Sequence, residues 1–175
     1  MRCIVMAGGR GARMGGVEKP LLEPCGKPAL LRVLEAAKPF CSEIAVITSP
    51  RAPITAALCP SLGVKCLSGA GDYVADLVMA LSPPFPILVL PSDLPFLDSE
   101  TLGRFLRLAQ DLPFSVLNLV GEEGPSGISL FNSWGGEWAD VNIEGEALLD
   151  MDTWEDYWRA VELCGSTEAE LQKGR

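Results

Sequence analysis

The sequence predicts a single α/β domain with a mostly parallel central sheet and helices on both faces. Three observations carry that expectation. Apolar runs of strand length alternate with helical patterns from residue 2 to residue 120, the order that builds a parallel sheet. Val46-Ile47 and Ile87-Leu88-Val89-Leu90 are continuously apolar, as strands covered on both sides must be. The conspicuous polar segments, Gly8 to Lys19, Thr48-Ser49-Pro50 and Ser92-Asp93, each follow a strand, which lines them up along the carboxyl edge where open α/β sheets bind ligands.

The first element is a strand over 2–7, the run Cys3-Ile4-Val5-Met6-Ala7. It opens into Gly8-Gly9-Arg10-Gly11-Ala12-Arg13-Met14-Gly15-Gly16, with Lys19-Pro20-Leu21-Leu22 behind it. Five glycines in nine residues free the backbone to approach a ligand and to aim successive amides at one anion. Arg10 and Arg13 add planar forks of donors, and Lys19 adds a compact mobile charge. The loop reads as a cradle for a nucleoside triphosphate. A Walker A loop would need Gly-Lys followed by Ser or Thr, whereas Lys19 stands between Glu18 and Pro20. A dinucleotide fingerprint would need a third glycine where Met14 stands.

The later elements follow in turn: helix 28–38, strand 43–48, helix 53–59, a short strand 64–67, helix 72–81, strand 86–91, helix 98–110 and strand 114–120. The last third changes character. Gly121 to Gly127 and Ser133 to Gly145 read as loops, a helix spans Trp154 to Leu163, and residues 165–175 read as a frayed tail after a domain of residues 1–164.

Composition narrows the function. A chain of 175 residues, 48% hydrophobic, has neither a membrane-spanning run nor a signal peptide, so a cytoplasmic protein without membrane insertion is expected. Six scattered cysteines, Cys3, Cys25, Cys41, Cys59, Cys66 and Cys164, read as buried free thiols in a reducing compartment. There is no histidine, so catalysis falls to metal, charge and positioning. A net charge of −9 argues against nucleic-acid binding, but it is unevenly spread. Residues 1–65 hold nine Lys or Arg against four Glu, which leaves −14 on the rest.

The acidic half supplies the remaining candidates. Asp93 follows the best strand in the chain, and a carboxylate fixed there can hold Mg2+ against a phosphate. Capping of the next helix is its plainer alternative, although Asp98 is also placed to cap. In Asp150-Met151-Asp152-Thr153-Trp154-Glu155-Asp156, Asp152 or Thr153 followed by Glu155 and Asp156 reads as a helix start, and Asp150 is the candidate second metal ligand while Asp152 caps the helix.

Taken together, Met6-Ala7-Gly8-Gly9-x-Gly11-x-Arg13-Met14-Gly15, Lys19-Pro20-Leu21, Ser92-Asp93-Leu94-Pro95-Phe96 and the Asp150 segment resemble a nucleotidyltransferase superfamily. Its members include molybdenum-cofactor guanylyltransferases and sugar-nucleotide pyrophosphorylases. The chain is similar above all to the archaeal adenosylcobinamide-phosphate guanylyltransferases, through Gly15-Gly16-Val17-Glu18-Lys19-Pro20-Leu21, Ser68-Gly69-x-Gly71, Asp76-Leu77 and Ala139-Asp140-Val141-Asn142-Ile143. Asp150 and Asp152 depart from that branch, which more often has Asn there.

The resemblance implies a Rossmann-like core, Mg2+ as the divalent metal, GTP as donor and a phosphorylated corrinoid as acceptor; a homodimer is left open. It assigns Met6, Ala7, Gly8, Gly9, Arg10 and Gly11 to the nucleotide, with Arg13 on the β and γ phosphates and Lys19 on the α-phosphate. Ser49, Gly69, Asp72 and Asp76 stand where guanine selection is expected, with turn and cap as their alternatives. Trp134 and Trp138 offer flat surface to a corrinoid, or pack an interface or the core edge. Competing functions are transfer to another acceptor such as a molybdopterin, a nucleotide-binding regulatory module, and a dinucleotide-dependent oxidoreductase.

Overall fold

The computed structural model describes residues 1–173 apart from Arg10, and side chains as far as Gly165. Among these the strands are β1 (Arg2–Met6), β2 (Glu43–Thr48), β3 (Lys65–Ser68), β4 (Ile87–Pro91), β5 (Val116–Gly121), β6 (Gly124–Phe131) and β7 (Trp138–Asn142). The helices are α1 (Ala29–Ala37), α2 (Pro53–Leu58), α3 (Tyr73–Ala80), α4 (Ser99–Ala109) and α5 (Trp154–Lys173). One seven-stranded sheet runs in the order β3-β2-β1-β4-β6-β5-β7. Every neighbouring pair is parallel except the two that involve β6. The expected α/β architecture is therefore present.

Alternation along β1 divides the core. Cys3, Val5 and Ala7 face α1 and α4 in a cluster of 23 buried residues that includes Leu30, Val33, Leu102 and Phe105. Ile4 faces α3 in a smaller cluster of six buried residues, with Ile47, Ala80, Leu81, Ile87 and Val89. The continuous run of β4 is explained by this: Ile87 and Val89 belong to one cluster, Leu88 and Leu90 to the other.

The last third corrects the reading from sequence. The segment Gly121 to Gly127 contains the start of β6 and Ser133 to Gly145 contains β7, and glycine and proline at the start of β6 hide its alternation of buried Ser126, Ile128 and Leu130. Because β6 is inserted backwards between β4 and β5, its opening residues lie at the edge where the parallel strands end. The final helix runs to Lys173 instead of stopping near Leu163, so the expected frayed segment is helical over most of its length. A single interior glycine, Gly165, costs about 1 kcal/mol, too little to end a helix continued by Glu, Ala, Leu and Gln.

The cysteines are a second correction. All six are paired, Cys3 with Cys41, Cys25 with Cys164 and Cys59 with Cys66. The partners are 38, 139 and 7 residues apart, so only the fold reveals them, and free thiols no longer speak for a reducing compartment. Among the described residues no helix is long and apolar enough to cross a membrane.

Candidate active site

A cavity of about 500 Å3 opens at the carboxyl edge of the sheet. Met6, Gly8, Gly9, Lys19, Asp72, Asp93 and Asp150, all candidates from the sequence, line it. Parallel register explains the convergence: Met6 pairs with Ile47 on one side and Pro91 on the other, so the segments that follow β1, β2 and β4 leave the sheet at one level. The Ser92 hydroxyl donates to the Met6 carbonyl at 2.9 Å and ties β4 to the root of the glycine loop.

The loop is held by its own backbone and by one hydroxyl. Gly11, at φ 55°, accepts from the amides of Met14 and Gly16 at 2.9 Å each. A Cβ on Gly11 would stand 2.0 Å from the Val17 carbonyl oxygen, so no other residue fits. Ser49 lies behind the loop instead of lining the cavity, and its hydroxyl donates to the Gly8 carbonyl at 2.8 Å. Ala7 is fully buried, with its amide on the Ile47 carbonyl at 2.8 Å. Arg10 lies outside the described residues.

Lys19 is the centre of the charges. Its ammonium donates to Asp93 Oδ2 at 2.7 Å and to Asp152 Oδ1 at 2.6 Å, and exposed Arg13 pairs with the other oxygen of Asp152. Burial acts to lower the Lys19 pKa, but the charges of Asp93 and Asp152 outweigh it and the net shift is upward. Asp152 is shifted down, chiefly by its hydrogen bond from Lys19. Asp150 is pushed up to about 6, first by burial and then by the like charges of Asp152 and Asp93.

The caps fall on Asp98 and Thr153, two of the residues the sequence offered for that task. Asp98 caps α4 by accepting from the Thr101 amide at 2.7 Å, which leaves Asp93 free of that task. Thr153, not Asp152, starts α5: its hydroxyl accepts from the Asp156 amide, while Asp156 accepts from the Thr153 amide and hydroxyl at 2.7 Å. Asp152 is thereby released to hold Lys19 and Arg13, a role that sequence reading missed.

The carboxylates near the third strand are committed to main chain. Asp72 accepts from the Ala75 amide at 2.9 Å and caps α3 at the cavity rim. Asp76 is 4% exposed and accepts from the amides of Ala70 and Gly71 at 2.7 and 3.0 Å. Gly69 packs so closely over it that a Cβ would lie 2.4 Å from that carboxylate. Pro125, Ser126 and Gly127, the reversed start of β6, form a wall not foreseen from the sequence. Trp134 and Trp138 lie at the opposite edge, before and at the start of β7, and do not line the cavity, because β7 is the outermost strand and runs parallel to β5. Both are exposed.

The donor set suits a hard divalent cation. Asp93 and Asp150 line one cavity, their repulsion helps raise Asp150, and a cation between them would relieve it. Among the described residues no group of three or more His, Cys, Asp or Glu is arranged as a metal cage. Mg2+ needs none, since it usually takes one or two carboxylates together with water and phosphate oxygens.

Known proteins match this architecture. An adenosylcobinamide-phosphate guanylyltransferase of Methanocaldococcus jannaschii is 38% identical over 117 residues, covering 61% of this chain and 58% of the relative. A molybdenum cofactor guanylyltransferase of Pseudomonas fluorescens is 30% identical over 124 residues, covering 61% and 54%. The matched stretches thus span between half and three fifths of those relatives. A nucleotidyl transferase from Methanothermobacter shares the fold at a TM-score of 0.73 and 19% identity, over 95% of this chain and 98% of that one. The model of the MobA-like NTP transferase domain matches residues 3–135, from β1 through the glycine loop, Lys19 and Asp93 to the loop after β6, and the chain belongs to that family.

Proposed function

We propose that the protein transfers GMP from GTP to adenosylcobinamide phosphate, giving adenosylcobinamide-GDP and pyrophosphate. The observation that carries the reading is the Lys19 ammonium, held between Asp93 and Asp152 at a cavity walled by Gly8 and Gly9. An acceptor phosphate oxygen attacks the α-phosphorus in line; the new P–O bond forms as the bond to the β-phosphate oxygen breaks, and pyrophosphate leaves. No covalent enzyme intermediate is needed, so positioning and charge neutralisation supply the catalysis.

The amides of Gly8, Gly9 and Gly11 hold the triphosphate, and Arg13 takes its β and γ oxygens. Lys19 exchanges its carboxylate partners for the α-phosphate, where negative charge builds in the transition state. Asp93 and Asp150 would hold Mg2+, whose charge offsets that of the phosphates. Ser49 steadies Gly8, and Asp76 fixes the backbone of residues 69–71 beside Asp72, where the base is read.

The identity to the Methanocaldococcus relative supports the corrinoid acceptor, and the Pseudomonas relative supports a second reading, guanylyl transfer to a molybdopterin. The test is product analysis after incubating protein and Mg2+ with each of the four nucleoside triphosphates and adenosylcobinamide phosphate. The expected outcome is a guanylylated corrinoid from GTP alone, with tighter binding of GTP than of ATP or CTP by calorimetry. Equal affinities would remove the guanine assignment.

A further inference from the structure

We infer that Glu18 is a positioning residue for Lys19: by capping α2 from a distance it anchors the end of the glycine loop and sets where the lysine side chain leaves the backbone. The inference rests on the transfer reading above. α2 starts at Pro53 after Ala52, which has no side-chain oxygen, so its first amides lack a local cap. Glu18, 36 residues earlier, supplies one. Its Oε1 accepts from the Ile54 amide at 2.9 Å, and its Oε2 accepts from the Thr55 amide and the Thr55 hydroxyl at 2.6 Å each.

Thr55 is wholly buried, so this contact is a fixed post. Burial acts to raise the Glu18 pKa, yet the Thr55 hydroxyl and the Ile54 and Thr55 amides together hold it below the usual carboxylate range. Three donors converge on two oxygens, and only a carboxylate can accept all three. A glutamine would turn its NH2 group toward one of them.

The residue after this post is Lys19, the first of a short 3-10 turn, Lys19–Leu21. On the other side, Gly11 closes over Val17 and accepts from Met14 and Gly16, so the loop is a compact body, while the Lys19–Leu21 turn packs on α1. Glu18 joins it to α2, which packs on β2, the strand whose Ile47 lines the cavity. Loss of the post would let the loop end drift. A lysine that must span Asp93 and Asp152, and then meet the α-phosphate, tolerates little drift, because small misplacements of reacting groups cost large factors in rate.

A double-mutant cycle separates positioning from mere stability. Glu18→Ala, Glu18→Gln, Lys19→Ala and the double variant Glu18→Ala/Lys19→Ala are compared by steady-state rates with GTP and acceptor, GTP calorimetry and thermal melts. Thr55→Ser and Thr55→Val join the set. Glu18→Ala is expected to lower kcat about tenfold with less than about threefold change in KM for GTP, and to cost less than about twofold once Lys19 is alanine. Thr55→Ser keeps the hydroxyl donor and should stay near wild type, whereas Thr55→Val should lose about threefold in kcat.

The same factor lost with and without Lys19, or wild-type kcat in folded Glu18→Ala, overturns the inference. If Glu18→Ala does not fold, Glu18→Gln and Thr55→Val take its place in the cycle under the same criteria. If the wild-type protein transfers nothing to the acceptor, the transfer reading fails by itself and the cycle is read on Mg-GTP affinity. A loss from Glu18→Ala that vanishes without Lys19 then supports the inference, and equal losses overturn it.

Discussion

The wall of the cavity that carries Lys19 and the wall that carries Asp93, Asp150 and Asp152 are assembled differently. The first comes from one stretch, residues 6–20, whose glycines and backbone hydrogen bonds shape it. The second joins the end of β4 to the turn before α5, segments far apart in sequence that only the folded sheet brings together. Asp150 is raised by burial and then by repulsion from Asp152 and Asp93, and Lys19 from the opposite wall offsets part of that cost. One wall is given by local chain chemistry. The other is a tertiary charge balance that Lys19 completes.

The comparison can be broken most directly at Lys19. Lys19→Ala should lower kcat by about a hundredfold to a thousandfold while GTP affinity falls far less, because the charge matters most in the transition state. Rates and calorimetry on one preparation check it; a rise confined to KM would make Lys19 a ground-state contact. Asp93→Asn should follow, with activity down about a hundredfold, the melting temperature nearly unchanged, and partial recovery in a Mg2+ titration. A fully active, metal-insensitive variant would remove Asp93 from metal binding.

Asp150 sharpens the contrast, since function and stability should move in opposite directions. Its folded pKa of about 6 exceeds the ordinary aspartate value of 3.8, so the folded protein holds the proton more tightly and stability falls as pH rises between those values. Asp150→Asn should therefore melt higher than wild type at pH 7, with the gap closing toward about pH 4, while activity drops about tenfold. Melts across pH together with initial rates test both halves. The smallest effect is expected at the far edge: Trp134→Ala and Trp138→Ala should leave the acceptor KM within about twofold of wild type.

Much of this was legible in the sequence, for identifiable reasons. The glycine loop announced itself because its residues are contiguous, and Asp93 did so because it ends a run of buried apolar residues. The partners of Lys19 could not be read, because pairing between Lys19 and Asp152 depends on how the turn before α5 reaches the sheet edge. Glu18 was hidden for the same reason: its donors lie on a helix 36 residues on. β6 was obscured by Gly124, Pro125 and Gly127, of which Pro125 and Gly127 serve the cavity wall at the expense of a clean strand signal. Asp72 and Asp76 showed the opposite limit: residue type alone did not reveal that Asp72 accepts from the Ala75 amide and Asp76 from the amides of Ala70 and Gly71 while both line the cavity.

The uneven division of the core has a consequence for motion. α1 and α4 press on a cluster of 23 buried residues, whereas α3 rests on six and leaves Tyr73, Val74, Val78 and Met79 largely exposed. Local opening is cheapest where the least apolar area must be uncovered, so α3 should breathe ahead of the other face, and its amides should take up deuterium sooner than those of α1 or α4. The wall that carries Asp72 and Tyr73 is then the yielding side of the cavity, and a nucleotide that closes against it should be seen first as slowed exchange there.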